Sequence, residues 1–366
     1  MKEIKVIYMN RKIYRSIIFS KSQLKTQLKF GDYFQIYPCD FKKAPASPYC
    51  SDFPLVIEYY VDEVPEVKLP DELQELSTWV HESTQKINQL NRLLRLLSVL
   101  TNHRFFIIEE SGYKWGKALP DLKLNENEKE AFNSSSSQTF SPGFYYPSIA
   151  DDLCITDFSE QKFPVAVLIE HTKYYRRVPS DDRDIDINFP NTIYQSVDKY
   201  FSLDNNRKKV ANSVNHLICN GIEIKDKMKS LSFLSFVSAI ETIVNYEFKK
   251  KNDVIEFECN DCQTIKTSQF TCPKCQRPIW GVKTKFKEFL KTYVSGTPKS
   301  IEKYNKIYNL RSKIVHAGVL LLGDEEIDWG ESLNTNEQYT TYYESMQLAR
   351  ESLSNWLLKG ANNISV

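Results

Sequence analysis

The sequence predicts an α+β fold in which a β-rich N-terminal part with one long helix precedes an all-helical C-terminal part. Three observations predict this class. Apolar and polar residues alternate in the N-terminal third, apolar residues recur at three- and four-residue steps after Pro190, and four of the eight cysteines crowd into residues 259–275. A chain of 366 residues also favours two domains, since a domain usually takes about 100 to 200 residues.

Composition and charge limit the classes of function. The 48 Lys and Arg residues almost balance the 47 Asp and Glu residues, so the chain lacks the strong positive field of highly basic nucleic-acid-binding proteins. Any contact with nucleic acid must therefore be local. Charges interrupt the apolar stretches near the N-terminus, and no apolar run approaches the roughly 18 residues needed to span a bilayer. We expect a cytoplasmic protein that makes no contact with a membrane.

Residues 1–190 are assigned to the β-rich domain. Residues rich in Ile, Val, Tyr and Phe, bounded by Gly and Pro, predict strands, and a 3.6-residue period predicts one long helix. Ser134–Ser137 is interpreted as part of a surface loop. Strands are expected within Ile4–Ile36, Phe53–Val61, Arg104–Glu110 and Val165–Glu170, and the helix over Asp71–Thr101.

Residues 191–366 are assigned to a helical bundle. The boundary is the acidic segment SDDRDIDINF between Pro179 and Pro190, after which helical periodicity dominates. A cysteine-rich insertion, residues 256–281, interrupts the bundle. Helices are expected over Thr192–Gly221, Met228–Lys250, Thr284–Tyr293, Pro298–His316 and Gln338–Lys359.

The cysteine cluster predicts a structural zinc site with one ion. Cys259, Cys262, Cys272 and Cys275 form two Cys-x2-Cys pairs separated by nine residues. Two such pairs complete a tetrahedral shell of four thiolates, which leaves no coordination position for a reacting water. Zinc would therefore fold the insertion as a zinc ribbon and take no part in catalysis. The less favoured interpretations are an iron or redox site and four unligated thiols.

The segment PKSIEKYNKIYNLRSKIVHAG predicts a helix with two informative faces. Arg311 shares a stripe with aromatic and aliphatic residues, so it needs an anionic partner, whereas His316 shares a stripe with Asn309 and Ser312. The two side chains project about 140° apart on this spacing. A structural alternative is that Arg311 pairs with a buried carboxylate and that His316 stabilises the helix end.

From about Thr192 to the C-terminus the chain resembles the HEPN superfamily, in particular its Apea-like branch. The residues that carry the resemblance are NLRSKIVHAG, which fits the family's Arg-x4-6-His motif, the helix LSFLSFVSAIETIVNYEF with Glu241, and the cysteine-rich insertion between them. The family's motif often has Asn, Asp or His after the arginine, where this chain has Ser312. The resemblance implies a helical bundle that dimerises through its motif helices and, in many members, a metal-independent ribonuclease of toxin or anti-phage systems.

The resemblance also implies roles for individual residues. His316 would be the general base and Arg311 would stabilise charge on phosphorus, with Ser312, Asn309 and Glu241 as supporting groups and no catalytic metal. Glu241 has an alternative role as the structural partner of a buried arginine. We expect RNA, including tRNA, as substrate, a homodimer, and a phage-derived trigger sensed by residues 1–190. The alternative function is a non-catalytic HEPN scaffold that binds nucleotide, RNA or protein.

Charge is unevenly distributed around the motif. Residues 282–316 contain nine Lys or Arg and two Glu, whereas residues 317–344 contain seven acidic residues and no Lys or Arg. The basic segment predicts a local surface for phosphates, and the alternative is that its lysines pair with the acidic segment. A further hypothesis is that the acidic segment occludes the basic surface, so that removal of Asp324–Glu331 raises RNA cleavage.

Overall fold

The structure, a computed structural model, describes residues 11–38, 53–62, 71–107, 154–160, 162–176, 186–250, 255–258, 262–268, 281–321, 323–324 and 332–359. The mixture of one antiparallel sheet with many helices confirms the α+β class. The chain divides into two compact units. The N-terminal unit comprises Met1–Ile169 with Pro179–Asn191, and the helical unit comprises Glu170–Val178 with Thr192–Val366.

The N-terminal unit is built on an antiparallel sheet with the strand order β2-β3-β4-β1-β5, in which β6 also pairs with β1. The segment expected to be strand from Ile4 to Ile36 contains separate strands within its described part, because the chain turns at Gly31, whose φ is 50°. Residues 4–10 lie outside the described residues. The strands are β1 (Arg11–Ser20), β2 (Leu28–Phe30), β3 (Phe34–Pro38), β4 (Phe53–Asp62), β5 (Phe105–Phe106) and β6 (Cys154–Ile155).

One long helix, α1 (Asp71–Leu100), packs against this sheet and has almost the expected bounds. Its later turns bury a leucine-rich stripe that includes Leu93 and Leu97. Glu82 of α1 accepts hydrogen bonds of 2.6 Å from Lys12 Nζ and the Tyr14 hydroxyl of β1. The unit also contains a short parallel pair of strands, β7 (Leu168–Ile169) and β8 (Phe189–Pro190).

The helical unit contains α2 (His171–Arg176), α3 (Ile193–Phe201), α4 (Asn205–Ile224), α5 (Lys229–Lys250), α6 (Val282–Tyr293), α7 (Pro298–Ala317) and α8 (Ser332–Lys359). The prediction of a single helix over Thr192–Gly221 is wrong, because the helical segment is interrupted between α3 and α4. Asp204 begins α4 as its N-cap, where its carboxylate accepts from the amides of Asn206 at 2.9 Å and Arg207 at 3.0 Å. None of the helices in the described ranges is long and apolar enough to cross a membrane.

Helix α5 lies at the centre of the bundle and contacts α4, α6, α7 and α8. Its apolar residues, including Phe233 and Ile240, are fully buried. Helices α4 and α5 approach closely at Gly221, where an added Cβ would lie 2.6 Å from the Phe236 ring. Strands β9 (Ile255–Glu258) and β10 (Ile265–Ser268) form an antiparallel hairpin between α5 and α6. The central position of α5 means that a polar residue on it can meet residues of several other helices.

Candidate functional site

Local sequence fixes both ends of α7, the helix that carries the Arg-x4-His motif. Thr297 caps its start by accepting from the amide of Ser300 at 3.3 Å, and Pro298 occupies the first turn. Gly318, with φ of 68°, ends the helix, and its amide donates to the carbonyl of Lys313. Tyr304, Ile307 and Ile314 are buried. Arg311 and His316 are therefore held on a helix whose register is set by its caps and its core.

Arg311 contacts Glu241, the acidic residue of α5 that the sequence singles out. The Arg311 guanidinium donates from Nη2 to Glu241 Oε2 at 3.4 Å, and its Nε lies 3.4 Å from Oε1. The two side chains are only 24% and 12% exposed. This is the contact expected if a buried carboxylate holds the arginine. Both distances are long for a charged pair, so most of the five guanidinium donors are available for a second anion.

Aromatic rings surround this ion pair on one side. The Arg311 guanidinium lies 5.9 Å from the centroid of the Tyr308 ring, which packs against Phe286 of α6 at 5.3 Å. Burial, followed by the charge of Glu241, raises the pKa of the Tyr308 hydroxyl, so this group stays protonated at neutral pH. Tyr308 thus restrains the guanidinium through its ring and has no role as a base.

His316 lies in the last turn of α7, and its side chain is exposed. Helical geometry separates it from Arg311 by about 140° around the axis and about 7.5 Å along it. No hydrogen bond or ion pair joins the two side chains in the part of the chain that the structure describes. A single helix therefore presents His316 and Arg311 on different faces.

The two supporting residues of the motif helix differ in their surroundings. Asn309 is exposed, and its Oδ1 accepts a hydrogen bond of 2.8 Å from Lys283 Nζ of α6. Ser312 is half-buried and lies four residues before His316 on the same face. Lys283 had not been singled out from the sequence, although its spacing with Lys287 and Lys291 is the pattern of a lysine stripe on a helix.

The cysteine insertion contains the β9–β10 hairpin. Six residues, 259–264, connect its strands, and they carry the first Cys-x2-Cys pair. Cys262 is half-buried, its Sγ lies 3.5 Å from Thr264 Oγ1, and Gln263 turns the chain with φ of 53°. Cys259, Cys272 and Cys275 lie outside the described residues. In the sequence, Cys259 lies three positions before Cys262, which is the Cys-x2-Cys spacing of one half of a tetrahedral zinc site.

A grouping of three or more His, Cys, Asp or Glu side chains suited to a metal ion does not occur among the residues with a described position. Three of the four clustered cysteines lie outside that set.

Some lysines of the basic segment pair with glutamates of the acidic segment. Lys303 pairs with Glu344 of α8 at 2.9 Å, and Lys306 pairs with Glu337 of α8 at 3.2 Å and with Glu302 at 3.3 Å. These contacts neutralise the lysines on the face of α7 that is turned toward α8.

Comparisons with known proteins give no relative from which to transfer a function. No protein-family model matches the chain, and neither the curated proteins nor the solved structures contain a significant match.

Proposed function

We propose that the protein is a metal-independent HEPN endoribonuclease that cleaves RNA, including tRNA, in abortive-infection defence against phage. The observation that carries the proposal is the arrangement on α7, where His316 is exposed at the helix end and Arg311 is oriented by Glu241. Attack by a ribose 2′-hydroxyl on the neighbouring phosphate forms a 2′,3′-cyclic phosphate and breaks the bond from phosphorus to the 5′-oxygen of the next nucleotide, which takes up a proton from the imidazolium or from water. This step needs a base for the hydroxyl proton and a cation for the charge on phosphorus. His316 serves as the general base, and Arg311 stabilises the phosphorane.

The supporting residues act through these two. Glu241 orients the guanidinium while leaving most of its donors for phosphate oxygens. Asn309 and Ser312 lie on the face of His316, where they orient the imidazole or the substrate.

The active form is a homodimer in which two α7 helices meet. The angular separation of Arg311 and His316 supports this, because a second copy of the helix brings the arginine of one chain toward the histidine of the other. Exposed apolar residues flank His316 and suit a protein interface: Val315 is 46% exposed, Val319 is 41% exposed and Leu320 is 40% exposed.

The other parts of the chain have supporting roles in this proposal. Cys259, Cys262, Cys272 and Cys275 hold one structural zinc ion that folds the insertion. The N-terminal unit senses a phage-derived trigger in the cytoplasm, because an unregulated ribonuclease would damage its own host.

A non-catalytic HEPN scaffold that binds nucleotide, RNA or protein is the second candidate. The Arg311–Glu241 pair favours it, since an arginine already neutralised by a carboxylate can be purely structural. The serine that follows Arg311 also departs from the family's usual motif.

Cleavage of total RNA and tRNA by the purified chain in EDTA tests the proposal. We expect cleavage with cyclic-phosphate ends that falls at least about 100-fold in His316→Ala and in Arg311→Ala. Bound zinc is measured on the same samples, so that loss of structural zinc is not interpreted as loss of a catalytic metal. If wild-type RNA cleavage and host toxicity both equal those of His316→Ala, with and without phage, the scaffold is the better conclusion.

A further inference from the structure

Seven of the nine basic residues of segment 282–316 fall into two groups according to their contacts. Four are neutralised: Lys291 by Glu288 at 2.7 Å, Lys303 and Lys306 by residues that include Glu344 and Glu337 of α8, and Arg311 by Glu241. In contrast, Lys283, Lys287 and Lys313 make no ion pair within the part of the chain that the structure describes. No carboxylate of the described residues therefore neutralises their positive charge.

These three lysines follow one line across α6 and α7. Helices α6 and α7 run antiparallel, because Lys283 near the start of α6 meets Asn309 late in α7, while the Tyr304 hydroxyl donates to the Ser295 carbonyl at the opposite end. Lys287 follows Lys283 by one helical turn. The Phe286 ring, between them in sequence, packs on Tyr308 and holds the two helices together.

The line continues along α7 to the motif histidine. Lys313 follows Asn309 by four residues, and His316 follows Lys313 by three, so each lies about one turn further along the same face. Asn309 and Lys313 are exposed, and Lys283 reaches Asn309 at 2.8 Å. We call Lys287, Lys283, Asn309 and Lys313 the lysine ladder, and it ends at His316.

We propose that the lysine ladder binds the sugar-phosphate backbone of single-stranded RNA and leads one phosphodiester to His316. The inference rests on the proposed ribonuclease function, which it deepens by naming how the substrate is held. Lys287 and Lys283 are four residues, or about 6 Å, apart along α6, as are Asn309 and Lys313 along α7. Because Lys283 contacts Asn309, the three lysines follow one another at about this interval, and flexible ammonium groups so spaced suit a row of phosphates. Binding through the backbone is independent of base sequence and sensitive to salt.

The test measures RNA binding separately from RNA cleavage. The full-length chain carrying His316→Ala is titrated against a labelled single-stranded RNA between about 0.05 and 0.3 M salt, and the dissociation constant is followed by fluorescence anisotropy. The ladder variant adds Lys283→Gln, Lys287→Gln and Lys313→Gln. A matched control adds Lys199→Gln, Lys209→Gln and Lys227→Gln, three exposed lysines elsewhere in the helical unit that also lack a described ion pair.

The ladder variant is expected to bind RNA about 10- to 100-fold more weakly at 0.1 M salt, and its plot of log affinity against log salt should be shallower by about 2. The control should bind as its parent does. If the parent and the ladder variant bind RNA with equal affinity and equal salt slope, the lysine ladder does not bind RNA and the inference is overturned. The proposed ribonuclease function would still stand if His316→Ala has abolished cleavage. Stronger displacement by polyglutamate than by unlabelled RNA would also overturn it and identify an acidic protein as the partner. Unchanged cleavage in His316→Ala would instead reject the proposed function.

Discussion

Among the described residues of the N-terminal unit, Glu58 is the carboxylate that accepts the most side-chain and backbone hydrogen bonds. It lies in register between Arg15 of β1 and Gln35 of β3, so the three side chains share one face of the sheet. Its oxygens accept from Arg15 Nε at 2.8 Å, from Gln35 Nε2 at 2.6 Å and from the Tyr37 hydroxyl at 2.8 Å, and Ser159 donates through both its amide and its hydroxyl. Since the Glu58 side chain has no exposed surface, these bonds replace its hydration.

We predict that Glu58→Gln destabilises the N-terminal unit by about 2 kcal/mol or more at pH 7, because an amide cannot accept all of these bonds and carries no charge to balance that of Arg15. Hydrogen exchange of peptides from β1 and β4 measures the change. The peptides of α5 and α8 serve as the internal control and should exchange as in the wild type. Equal protection of β1 and β4 in both proteins would contradict the prediction.

The stability difference between the wild type and Glu58→Gln should depend on pH. Burial alone would raise the pKa of Glu58, but the hydrogen bonds from Ser159, Tyr37 and Gln35 outweigh burial and hold the pKa below its usual value. A carboxyl whose pKa is lower in the folded state stabilises above its unfolded pKa of about 4.3 and loses that contribution as the pH falls through the folded value. The stability difference between wild type and Glu58→Gln should therefore narrow below about pH 4.

The sequence allowed some of these residue contacts to be predicted. Arg311 lies on an apolar stripe and Glu241 lies on an apolar helix, so the sequence predicts that each charged side chain needs a partner of opposite charge. Glu58 sits in the strand run LVIEYYVD, and its partners lie 43, 23 and 21 positions away, at distances along the chain that only the strand pairing determines. The apolar period identifies a polar residue in an apolar environment, but it does not identify the residue that forms its hydrogen bond or ion pair.

Among the secondary-structure elements, α5 depends on a residue far away in sequence for its first turn. The Asp324 carboxylate accepts from the amides of Lys229 at 2.7 Å and Ser230 at 2.6 Å, which otherwise lack partners at a helix start. Burial would raise the pKa of Asp324, but these hydrogen bonds and the charge of Lys229 lower it, so the cap is ionised at neutral pH. Asp324 therefore has a structural role that the other acidic residues after it need not share.

This contact changes how occlusion of the basic surface by the acidic segment must be tested, since deleting Asp324–Glu331 also removes the cap of α5. We predict that Asp324→Ala lowers stability by about 1 kcal/mol, measured by chemical denaturation. Neutralising Glu325, Glu326, Asp328 and Glu331 as amides keeps the cap and the chain length, and should raise RNA cleavage if these charges occlude the lysines. Unchanged cleavage would reject occlusion, and a destabilised amide variant would show that these carboxylates have a structural role.

Element bounds were largely predictable where one apolar period covers the whole helix, as in α1 and α7. The break between α3 and α4 was missed, although Asp204 followed by Asn205 and Asn206 carries the signature of a helix start. The three- and four-residue spacing of buried residues continues across the break, with Val197 and Tyr200 before it and Arg207, Ala211 and Val214 after it. At this point the capping residue Asp204, and not the apolar period, marks where the second helix begins.

For the whole molecule, the structure redefines which residues the helical unit needs. Residues 170–178 precede the boundary expected from the sequence, yet they group with the helices. Tyr174 and Tyr175 of α2 are almost fully buried, and Tyr175 lies beside Ser354 of α8. His171 joins Thr192 at 2.7 Å and Asn355 at 2.8 Å. The acidic segment between the two prolines is thus not the N-terminal limit of the helical unit.

We predict that two fragments of the chain will behave differently. Asn191–Val366 lacks the buried tyrosines of α2 and should lose several kcal/mol of stability, on the order of 3 to 5 for each large side chain removed from a core. Glu170–Val366, with residues 179–191 replaced by a Gly-Ser linker of equal length, keeps α2 and should unfold in one cooperative thermal transition. The linker also avoids exposing Phe189, which is buried in the N-terminal unit.

The second fragment tests whether the N-terminal unit controls the helical unit. If residues 1–169 sense a phage-derived trigger, toxicity of the linker fragment in host cells should no longer depend on phage, whereas the full-length chain should require it. The same fragment with His316→Ala is the matched control, because it keeps the fold and lacks the proposed base. A fragment whose toxicity equals that of the full-length chain both with and without phage would show that sensing does not reside in the N-terminal unit.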